Sequence, residues 1–452
     1  MEYRNDTIAA IATPAGHGAI AIVRLTGENS VEIASKIFKG SLFLEELEGN
    51  TNTFGRIFDS KTGQDVDEVI LALYRSPKSF TGEDMVEINC HGGVAIPHKI
   101  LDLCLSAGAR LALPGEFSKR AFLNGKIDLI QAEAINDLIH STTMAGSSLA
   151  LNNLKKGLSE ILIPVKEKLT FLLSKIEAIL DYPEEEIDDF NFQDESELSN
   201  SLDQIRKIIH TGKRSRKVAA GYKVVLAGRT NVGKSSLLNA LAGEEKAIVS
   251  HHHGTTRDAI EVELHLNGLP VIFIDTAGIR DEFEHEIEGY GIIKTKAMLN
   301  KADLILFLSE SGGGFTKEDQ EILETLNQDK VLLIKNKIDL DIKKQEQDKN
   351  KSVLISAKTN EGIDVLIDRI IEILKLKPLE DTQYFVNTRQ EEHLQKMENF
   401  LSETLSKLDD NETYDIVAFE MRAALGELGE LLGFSVQDDV VDSIFNNFCV
   451  GK

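Results

Sequence analysis

Tryptophan is absent from this chain of 452 residues, and cysteine and proline are scarce, with three and eight residues respectively. The cysteines are Cys90, Cys104 and Cys449, which are too few for a disulfide framework and lack the spacing of a zinc site. The sequence therefore excludes a scaffold held together by disulfides or structural zinc, and it favours a reducing compartment.

Long apolar runs are also missing. No segment reaches the length of about 20 apolar residues that crosses a bilayer. Residues 1–5 open into a polar and then alternating stretch that lacks the basic region and apolar core of a signal peptide. We therefore expect a cytoplasmic protein that makes no contact with a membrane.

Positive charge is in deficit, since 50 Lys and Arg residues stand against 74 Asp and Glu residues, for a net charge of −24. Nucleic-acid phosphates repel such a chain unless its positive charges are concentrated locally. The one compact basic run is Lys213-Arg214-Ser215-Arg216-Lys217, and a solvated linker ahead of a strand is the preferred interpretation. No basic nucleic-acid-binding domain is recognisable.

The first part of the chain, residues 19–112, mixes two hydrophobic periods. Strand-like runs cover 19–25, 69–74 and 85–90, and a helical period covers 94–107. This combination predicts a compact α+β unit.

From about residue 117 the period becomes helical. The longest apolar stripe consists of Leu151, Leu154, Leu158, Ile161, Val165, Leu169, Leu172, Ile176 and Ile179. Alternating steps of three and four along it predict one long helix that ends near Asp181, ahead of Pro183. The acidic residues at 184–189 are expected to form a solvated loop.

The end of the chain is helical again over 384–448. Its helical steps are carried by Leu425, Leu428, Leu432, Val440, Val441, Ile444 and Phe445. Both helical segments must bury an apolar stripe to be stable. We therefore predict that they pack together into one discontinuous all-α domain.

Between the two helical segments, short β-branched runs alternate with helical stretches. The runs cover 223–226, 271–274, 304–307, 331–334 and 353–355. This alternation is typical of a mostly parallel sheet with crossover helices. The predicted architecture is therefore multidomain: an α+β domain at 1–116, a helical domain split into 117–215 and 379–452, and an inserted α/β domain at 216–378.

The inserted domain contains the phosphate-loop pattern G-x-x-x-x-G-K-[ST] as Gly228-Arg229-Thr230-Asn231-Val232-Gly233-Lys234-Ser235, between a predicted strand and a helix at 236–242. Glycines there let backbone N–H groups surround phosphate oxygens, and the helix N-terminus adds the positive end of a dipole. Lys234 can reach the terminal phosphates, and Ser235 can supply a hydroxyl to Mg²⁺. The segment predicts a nucleoside triphosphate site.

Three further motifs follow later strands of this domain. Asp275-Thr276-Ala277-Gly278 can hold the Mg²⁺ shell and present a backbone N–H to the γ-phosphate. Within Asn336-Lys337-Ile338-Asp339, the Asp339 carboxylate can accept two hydrogen bonds from guanine that adenine cannot donate. Ser356-Ala357-Lys358 can offer backbone N–H groups to the guanine oxygen. Together the four motifs predict GTP as the ligand.

Hydrolysis of this GTP cannot use the device of Ras-like proteins. Those proteins place a glutamine after the last glycine of the second motif to orient the attacking water, and this chain has Ile279 there. No arginine finger is identifiable either. Hydrolysis must therefore be very slow or depend on other groups.

The motifs resemble those of the potassium-activated GTPases. The resemblance rests on Asn231 in the phosphate loop, on Gly254-Thr255-Thr256-Arg257-Asp258 as switch I, and on the apolar Ile279. The flanking segments are more specific: Asp6-Thr7-Ile8-Ala9-Ala10-Ile11-Ala12-Thr13-Pro14, Ser79-Phe80-Thr81-Gly82-Glu83-Asp84, Cys90-His91-Gly92-Gly93, Pro114-Gly115-Glu116-Phe117, Arg120-Ala121-Phe122-Leu123-Asn124-Gly125-Lys126 and Phe448-Cys449-Val450-Gly451-Lys452. From end to end, the chain resembles the bacterial and organellar tRNA-modification GTPases of the MnmE (TrmE) family.

That resemblance implies a potassium-activated GTP hydrolase that acts on tRNA. Family members work with an FAD-dependent partner, MnmG (GidA), in a heterotetramer or larger assembly, and the FAD belongs to the partner alone. They add a (carboxymethyl)aminomethyl-type group to C5 of the wobble uridine. A 5,10-methylene- or 5-formyl-tetrahydrofolate in the N-terminal domain supplies the one-carbon unit. That domain also forms a homodimer, and GTP with K⁺ brings two G domains together.

The resemblance also implies ligands and catalytic groups. Mg²⁺ would be held by Ser235 and Thr256. K⁺ would be held by Asn231, Ser250, His252 and Thr255. The water-positioning glutamate falls on Glu288, with Glu284 and Glu286 as alternatives, and it acts with Lys234 and Asn231. Folate would contact Arg24, Glu87, Lys126 and Lys452.

The complete set of residues expected around GTP combines the motifs with the resemblance. It is Asn231, Val232, Gly233, Lys234, Ser235, Ser236, Ser250, Thr255, Thr256, Asp275, Thr276, Ala277, Gly278, Asn336, Lys337, Asp339, Ser356, Ala357 and Lys358.

Two features have competing interpretations. The run His251-His252-His253 stands where the family usually has an aspartate and an apolar residue. A mobile switch loop is preferred to a metal site, because neighbouring residues rarely point the same way. Cys449 could carry one-carbon or redox chemistry, but a small packing residue beside Phe448 is the preferred interpretation.

Two other functions stay open. An Era-like GTPase switch in ribosome assembly would share the nucleotide domain, although the acidic charge disfavours it. The N-terminal region could also be a folate-dependent one-carbon transferase that the nucleotide domain merely regulates.

Overall fold

The computed structural model describes residues 6–41, 43–141, 143–182, 191–243, 247–248, 261–275, 298–299, 301–312, 315–340, 352–376, 384–410, 412–435 and 438–451. Within these ranges no helix is both long and apolar enough to cross a membrane. The chain divides into two compact units. One comprises Met1–His140, Ala150–Ile209 and Asn387–Lys452, and the other comprises Ser141–Leu149 and His210–Val386.

The first unit contains a seven-stranded sheet in the order β3-β4-β5-β6-β2-β1-β7. Its strands are β1 Ile8–Ile11, β2 Ile20–Thr26, β3 Phe38–Gly40, β4 Thr51–Phe58, β5 Asp65–Tyr74, β6 Met85–His91 and β7 Arg110–Leu111. All neighbouring pairs are antiparallel except β1 and β7. Helices α1 (Ser30–Ile37) and α2 (Ala95–Ser106) pack on one face. The strands predicted at 19–25, 69–74 and 85–90, and the helix at 94–107, are confirmed.

Alternation along β2 decides which of its side chains enter the core. Ala21, Val23 and Leu25 are buried in the core that the sheet forms with α1 and α2. Arg24 lies between two of them, so its side chain points to the opposite face of the sheet. A charged group thus lies on a central strand without entering the core.

The remaining helices of the described chain continue the numbering. They are α3 Glu116–Leu123, α4 Leu129–His140, α5 Met144–Leu154, α6 Gly157–Asp181, α7 Phe192–Ala220, α8 Lys234–Ala242, α9 Lys317–Glu324, α10 Ile363–Ile373, α11 Thr388–Asp409, α12 Tyr414–Leu432 and α13 Asp438–Phe445. In the first unit, α12 packs against both α6 and α11. The predicted discontinuous helical domain is therefore confirmed, because α6 precedes the second unit in sequence and α11 and α12 follow it.

The single long helix predicted over 151–179 is wrong. Helix α5 ends at Leu154 and α6 begins at Gly157, because Lys156 adopts the left-handed region at φ 70° and stops the helix. Gln131 Nε2 donates to the Leu154 carbonyl at 2.7 Å, which satisfies an acceptor left open at the helix end. Leu151 is exposed. Hydrophobic spacing cannot detect such a break when the apolar phase continues across it.

The second unit contains another seven-stranded sheet, in the order β14-β13-β12-β8-β11-β10-β9. Its strands are β8 Tyr222–Ala227, β9 Ala247–Ile248, β10 Glu261–Leu266, β11 Leu269–Asp275, β12 Leu304–Glu310, β13 Val331–Asn336 and β14 Val353–Leu354. The five strands from β14 to β11 are parallel to their neighbours, and β10 and β9 add an antiparallel edge. The mostly parallel α/β domain is confirmed, while the two edge strands were not predicted.

Candidate functional site

The predicted nucleotide motifs follow strands β8, β11, β13 and β14, which are parallel to their neighbours. Their carboxyl ends therefore lie along one edge of the sheet. Strand β8 lies between β11 and β12, so connections leave to both sides of it. In open α/β sheets ligands bind outside the carboxyl ends at such a switch point.

The phosphate loop joins β8 to α8. Asn231 and Gly233 adopt left-handed backbone conformations with φ 64° and 97°. A Cβ on Gly233 would lie 2.3 Å from Asn336 Nδ2, so only glycine fits there. The Lys234 ammonium, on a side chain that is buried, donates to the carbonyls of Gly228 at 3.0 Å and Arg229 at 2.7 Å. The lysine thus lies inside the loop, where phosphate oxygens can replace those carbonyls as acceptors.

The two residue types that Mg²⁺ needs lie side by side. Asp275, at the end of β11, is 1% exposed, and its Oδ2 accepts a hydrogen bond of 2.7 Å from Ser235 Oγ. Ser235 lies in the first turn of α8 and is exposed. A buried carboxylate beside a hydroxyl is an oxygen donor set of the kind that Mg²⁺ prefers. The Ser235 hydroxyl fits a direct ligand, and the Asp275 carboxylate fits a hydrogen-bond partner of the metal's ligand shell.

The guanine motif is built around Asn336 at the end of β13. Its Oδ1 accepts from the Ala357 N–H at 3.0 Å, and its Nδ2 donates to the Val232 carbonyl at 2.9 Å. Asp339 is exposed, and Ser356 Oγ donates to its Oδ1 at 2.7 Å. The Asp339 carboxylate is therefore open to a base and held in orientation by a fully buried serine. Sequence reasoning did not foresee that Asn336 would join two motifs.

Three further residues of the predicted GTP set are described. Ser236 and Lys358 are exposed, and Lys337 forms an ion pair with Glu310. The predicted site residues outside the described ranges are Ser250, His252, Thr255, Thr256, Thr276, Ala277, Gly278, Glu284, Glu286, Glu288 and Lys452. Their roles stay predictions.

Two of the residues predicted to bind folate meet in the first unit. Arg24 on β2 and Glu87 on β6 are direct cross-strand partners, and Arg24 Nε donates to Glu87 Oε1 at 2.8 Å. Arg24 Nη1 also donates to the Gly451 carbonyl at 3.0 Å, and its guanidinium carbon lies 5.6 Å from the centre of the Phe117 ring. A guanidinium flanked by a carboxylate and an aromatic ring can recognise a flat polar ligand.

Lys126 has a different environment. Its Nζ donates to the Pro77 carbonyl at 2.8 Å, and the residue is exposed. Sequence reasoning missed Gly451 and Phe117 as members of the Arg24 site. Both residues lie in segments on which the family resemblance rests, but the resemblance assigned neither of them a role in binding.

The C-terminal segment is anchored by aromatic packing. Phe448 is buried, and its ring centre lies 5.1 Å from that of Phe445. Cys449 is exposed, and its carbonyl accepts from the Gly115 N–H at 3.3 Å. The preferred interpretation of Cys449 as a packing residue is therefore wrong, and Phe448 fills that role.

The other two cysteines are buried. Burial raises the pKa of Cys90 to about 11 and that of Cys104 to about 12. Both therefore remain thiols near neutral pH, which fits packing residues in the sheet core.

Among the described residues, His393, Glu427 and Glu430 could together hold a metal ion, since their ligand atoms lie within 4.8 Å of one another. His393 Nδ1 lies 2.7 Å from Glu427 Oε2, and Lys396 Nζ lies 3.6 Å from Glu427 Oε1. The lysine already supplies positive charge to this carboxylate. The group is best described as a polar bridge between α11 and α12.

Two family models match the chain. The family model described as MnmE helical domain matches residues 129–449, and the model described as GTP-binding protein TrmE N-terminus matches residues 7–126.

Individual relatives match along the whole chain. The tRNA modification GTPase MnmE of Carboxydothermus hydrogenoformans is 42% identical and the match covers 99% of each chain. The proteins of the same name from Acetivibrio thermocellus and Clostridioides difficile are each 39% identical, with 100% of both chains covered. Identity at this level over the full length shows common descent, and the chain belongs to the MnmE family of tRNA modification GTPases.

Proposed function

We propose that this chain hydrolyses GTP, with K⁺ as activator, to support the addition of a (carboxymethyl)aminomethyl group to C5 of the wobble uridine of tRNA. The proposal includes an FAD-dependent partner of the MnmG type and a tetrahydrofolate one-carbon donor. The observation that carries it is a phosphate loop and a guanine motif at one sheet edge, in a chain that matches MnmE relatives over its full length.

Guanine selection rests on Asp339. Its carboxylate can accept from N1–H and the N2 amine of guanine, a pair of donors that adenine lacks. Ser356 Oγ fixes the carboxylate by donating to Oδ1 at 2.7 Å. An acceptor left unpaired against ATP costs free energy, so the base decides which nucleotide binds.

The phosphates are bound by the loop and by Lys234. Ser235 and the buried Asp275 fit Mg²⁺, because both present oxygen atoms at the mouth of the loop. Bound Mg²⁺ neutralises charge on the β- and γ-phosphate oxygens. The Lys234 ammonium, which donates to the Gly228 and Arg229 carbonyls in this structure, can neutralise charge on the same phosphate oxygens.

Potassium activation is argued from Asn231. It lies on the exposed part of the phosphate loop with φ 64°, and its side-chain amide carries an oxygen that could bind a cation beside the phosphates. The proposed further K⁺ ligands are Ser250, His252 and Thr255, with Thr256 on Mg²⁺ and Glu288 orienting the water. K⁺ would supply the positive charge that an arginine finger supplies in other GTPases.

The test of this step compares GTP hydrolysis in K⁺ and in Na⁺ at equal ionic strength. We expect hydrolysis to be clearly faster in K⁺ and the difference to vanish in Asn231→Ala. Equal rates in the two salts for the unaltered protein would show that the cation mechanism is wrong.

Folate binding is proposed at the pair formed by Arg24 and Glu87. Both side chains are largely buried, with 16% and 15% of their surface exposed, and the Gly451 carbonyl completes the polar lining. Lys126, the terminal Lys452 and the exposed Cys449 are proposed to complete this site. Recording the pterin absorbance of purified protein after addition and removal of tetrahydrofolate tests it, since a ribosome-assembly GTPase should retain no folate.

A homodimer through the N-terminal domain is supported by apolar side chains on the open face of its sheet. Phe54 and Ile70 are cross-strand partners on β4 and β5 and are 64% and 52% exposed. Large exposed apolar groups that sit together favour a protein contact. Sedimentation of the protein without nucleotide should give the mass of two chains.

The complete proposal is tested in a strain that lacks this protein. Mass spectrometry of its tRNA should show wobble uridine without the aminomethyl-type group, and the unaltered gene should restore it. A Lys234→Ala copy should not restore it. If that copy does restore modification, the nucleotide domain only regulates a one-carbon transferase.

A further inference from the structure

Arg229 is the one residue of the phosphate loop whose side chain bridges to helix α9 among the described contacts. Its Nε donates to Asp319 Oδ1 at 3.0 Å, and its Nη1 lies 3.7 Å from Glu318 Oε2. Asp319 is 1% exposed, so the ion pair has one buried carboxylate and one partly exposed guanidinium. Buried carboxylates need partners, and Arg229 supplies charge and a hydrogen bond to this one.

The other oxygen of Asp319 is held by the start of its own helix. Thr316 is the N-cap of α9, and its N–H and Oγ1 donate to Asp319 Oδ2 at 3.0 and 2.8 Å. Asp319 N–H donates in return to Thr316 Oγ1 at 3.2 Å. This capping box fixes the orientation of the carboxylate that Arg229 contacts.

The main chain of Arg229 meets the nucleotide machinery. Its carbonyl accepts from Lys234 Nζ at 2.7 Å, alongside the Gly228 carbonyl at 3.0 Å. The same residue therefore binds α9 through its side chain and Lys234 through its backbone. A shift of Arg229 away from α9 therefore moves the loop backbone that surrounds Lys234.

We propose that Arg229 is a positioning residue of the phosphate loop and that Asp319 is its anchor, so that this ion pair sets the affinity of the loop for the β-phosphate of guanine nucleotides. The inference rests on the proposed GTP site and deepens it. Arg229 acts through the loop backbone, so its effect extends equally to GDP and GTP. Interactions that are equal in ground state and transition state change KM and leave kcat unaltered.

The test uses the full chain and the fluorescent nucleotide N-methylanthraniloyl-GDP. Arg229→Met keeps the aliphatic length of the side chain and removes its charge. Asp319→Asn keeps an oxygen for Thr316 and removes the charge that holds Arg229. We expect each variant to raise the Kd for the nucleotide about tenfold, since small displacements of a preorganised loop cost this much or more. KM for GTP should rise to the same extent at unchanged kcat.

Three control variants separate positioning from folding. Glu318→Gln alters the exposed neighbour of Arg229 and should leave the Kd unchanged. Thr316→Val removes the capping hydroxyl and keeps the Asp319 carboxylate. It should therefore lower Tm and raise Kd by less than Arg229→Met does. Arg229→Lys restores the positive charge and should recover part of the affinity.

A double-mutant cycle decides whether the two residues act as a pair. If they do, Arg229→Met combined with Asp319→Asn loses no more affinity than either change alone. Losses that multiply, or an unchanged Kd in folded Arg229→Met, overturn the inference. Failure of the unaltered protein to bind the nucleotide overturns the proposed GTP site instead. If Asp319→Asn does not fold, the Arg229→Met and Arg229→Lys pair carries the test.

Discussion

Asn336 Nδ2 lies 2.9 Å from the carbonyl oxygen of Val232 and donates a hydrogen bond to it. Val232 belongs to the phosphate loop and Asn336 to the guanine motif. The Oδ1 atom of the same amide accepts from the Ala357 N–H at 3.0 Å. One buried side chain therefore connects three of the four nucleotide motifs.

Replacing Asn336 with Ala should weaken the binding of both GTP and GDP by about a hundredfold. The change leaves the buried Val232 carbonyl and Ala357 N–H without this partner, which costs about 1–3 kcal/mol for each group. Calorimetric titration with GDP measures the effect. Asn327→Ala makes the same chemical change at an exposed position ahead of β13 and should leave the affinity as it was. Equal binding by the two variants would contradict the connecting role.

Replacing Asp339 with Asn should shift the preference from guanine to xanthine nucleotides. The amide retains one acceptor but gains a donor, which suits the oxygen that xanthine carries where guanine has its N2 amine. We expect GDP affinity to fall by about a hundredfold and xanthosine diphosphate to bind better than GDP. Competition between the two nucleotides measures the preference. The assignment of Asp339 fails if GDP remains the better ligand.

Replacing Asp137 with Asn should stabilise the protein more at pH 8 than at pH 5. Burial, followed by the negative charge of Glu133, raises the pKa of Asp137 to about 7 from an ordinary value of 3.8. At pH values between 3.8 and about 7, Asp137 keeps a proton in the folded chain that it has lost in the unfolded chain. Stability therefore falls as pH rises from about 4 to about 7.

An asparagine at position 137 has no proton to lose there, and its gain at pH 8 should be about 1–2 kcal/mol in the free energy of unfolding. Urea unfolding at both pH values measures it. Asp181→Asn, at an exposed position, is the matched control. A gain that is the same at pH 5 and pH 8 would show that titration of Asp137 is not its cause.

Replacing Gly451 with Ala should weaken folate binding and leave GDP binding unchanged. At φ 92°, a Cβ there would lie 2.6 Å from the Ile11 carbonyl oxygen and 2.8 Å from Ala12 Cα. The segment must move, which withdraws the Gly451 carbonyl from Arg24. We expect about a tenfold rise in the Kd for tetrahydrofolate, measured by calorimetry. Val450→Ala changes the exposed neighbour and should bind folate normally. If both variants bind equally well, the tail does not line this site.

Local patterns predicted much of the fold. Parallel strands of the second unit bury both faces, and they appear as short apolar runs such as 304–307, which lies inside β12. The break at Lys156 was invisible, because a left-handed residue can interrupt a helix while the apolar spacing continues. The edge strand β9 is too short for any pattern, and its pairing with β10 is a long-range event.

What the sequence determined by itself is the chemistry: Lys234, Ser235, Asp275 and Asp339 stand in motifs whose residue types and order specify guanosine triphosphate. Tertiary structure decided which of them touch. Ser235 meets Asp275, and Arg24 meets Glu87 in register with a terminal carbonyl beside them. The anchor of Arg229 lies 90 residues further along the chain. Such pairs form only when strands align and helices pack, because contact between distant residues depends on the fold and leaves no local period in the sequence.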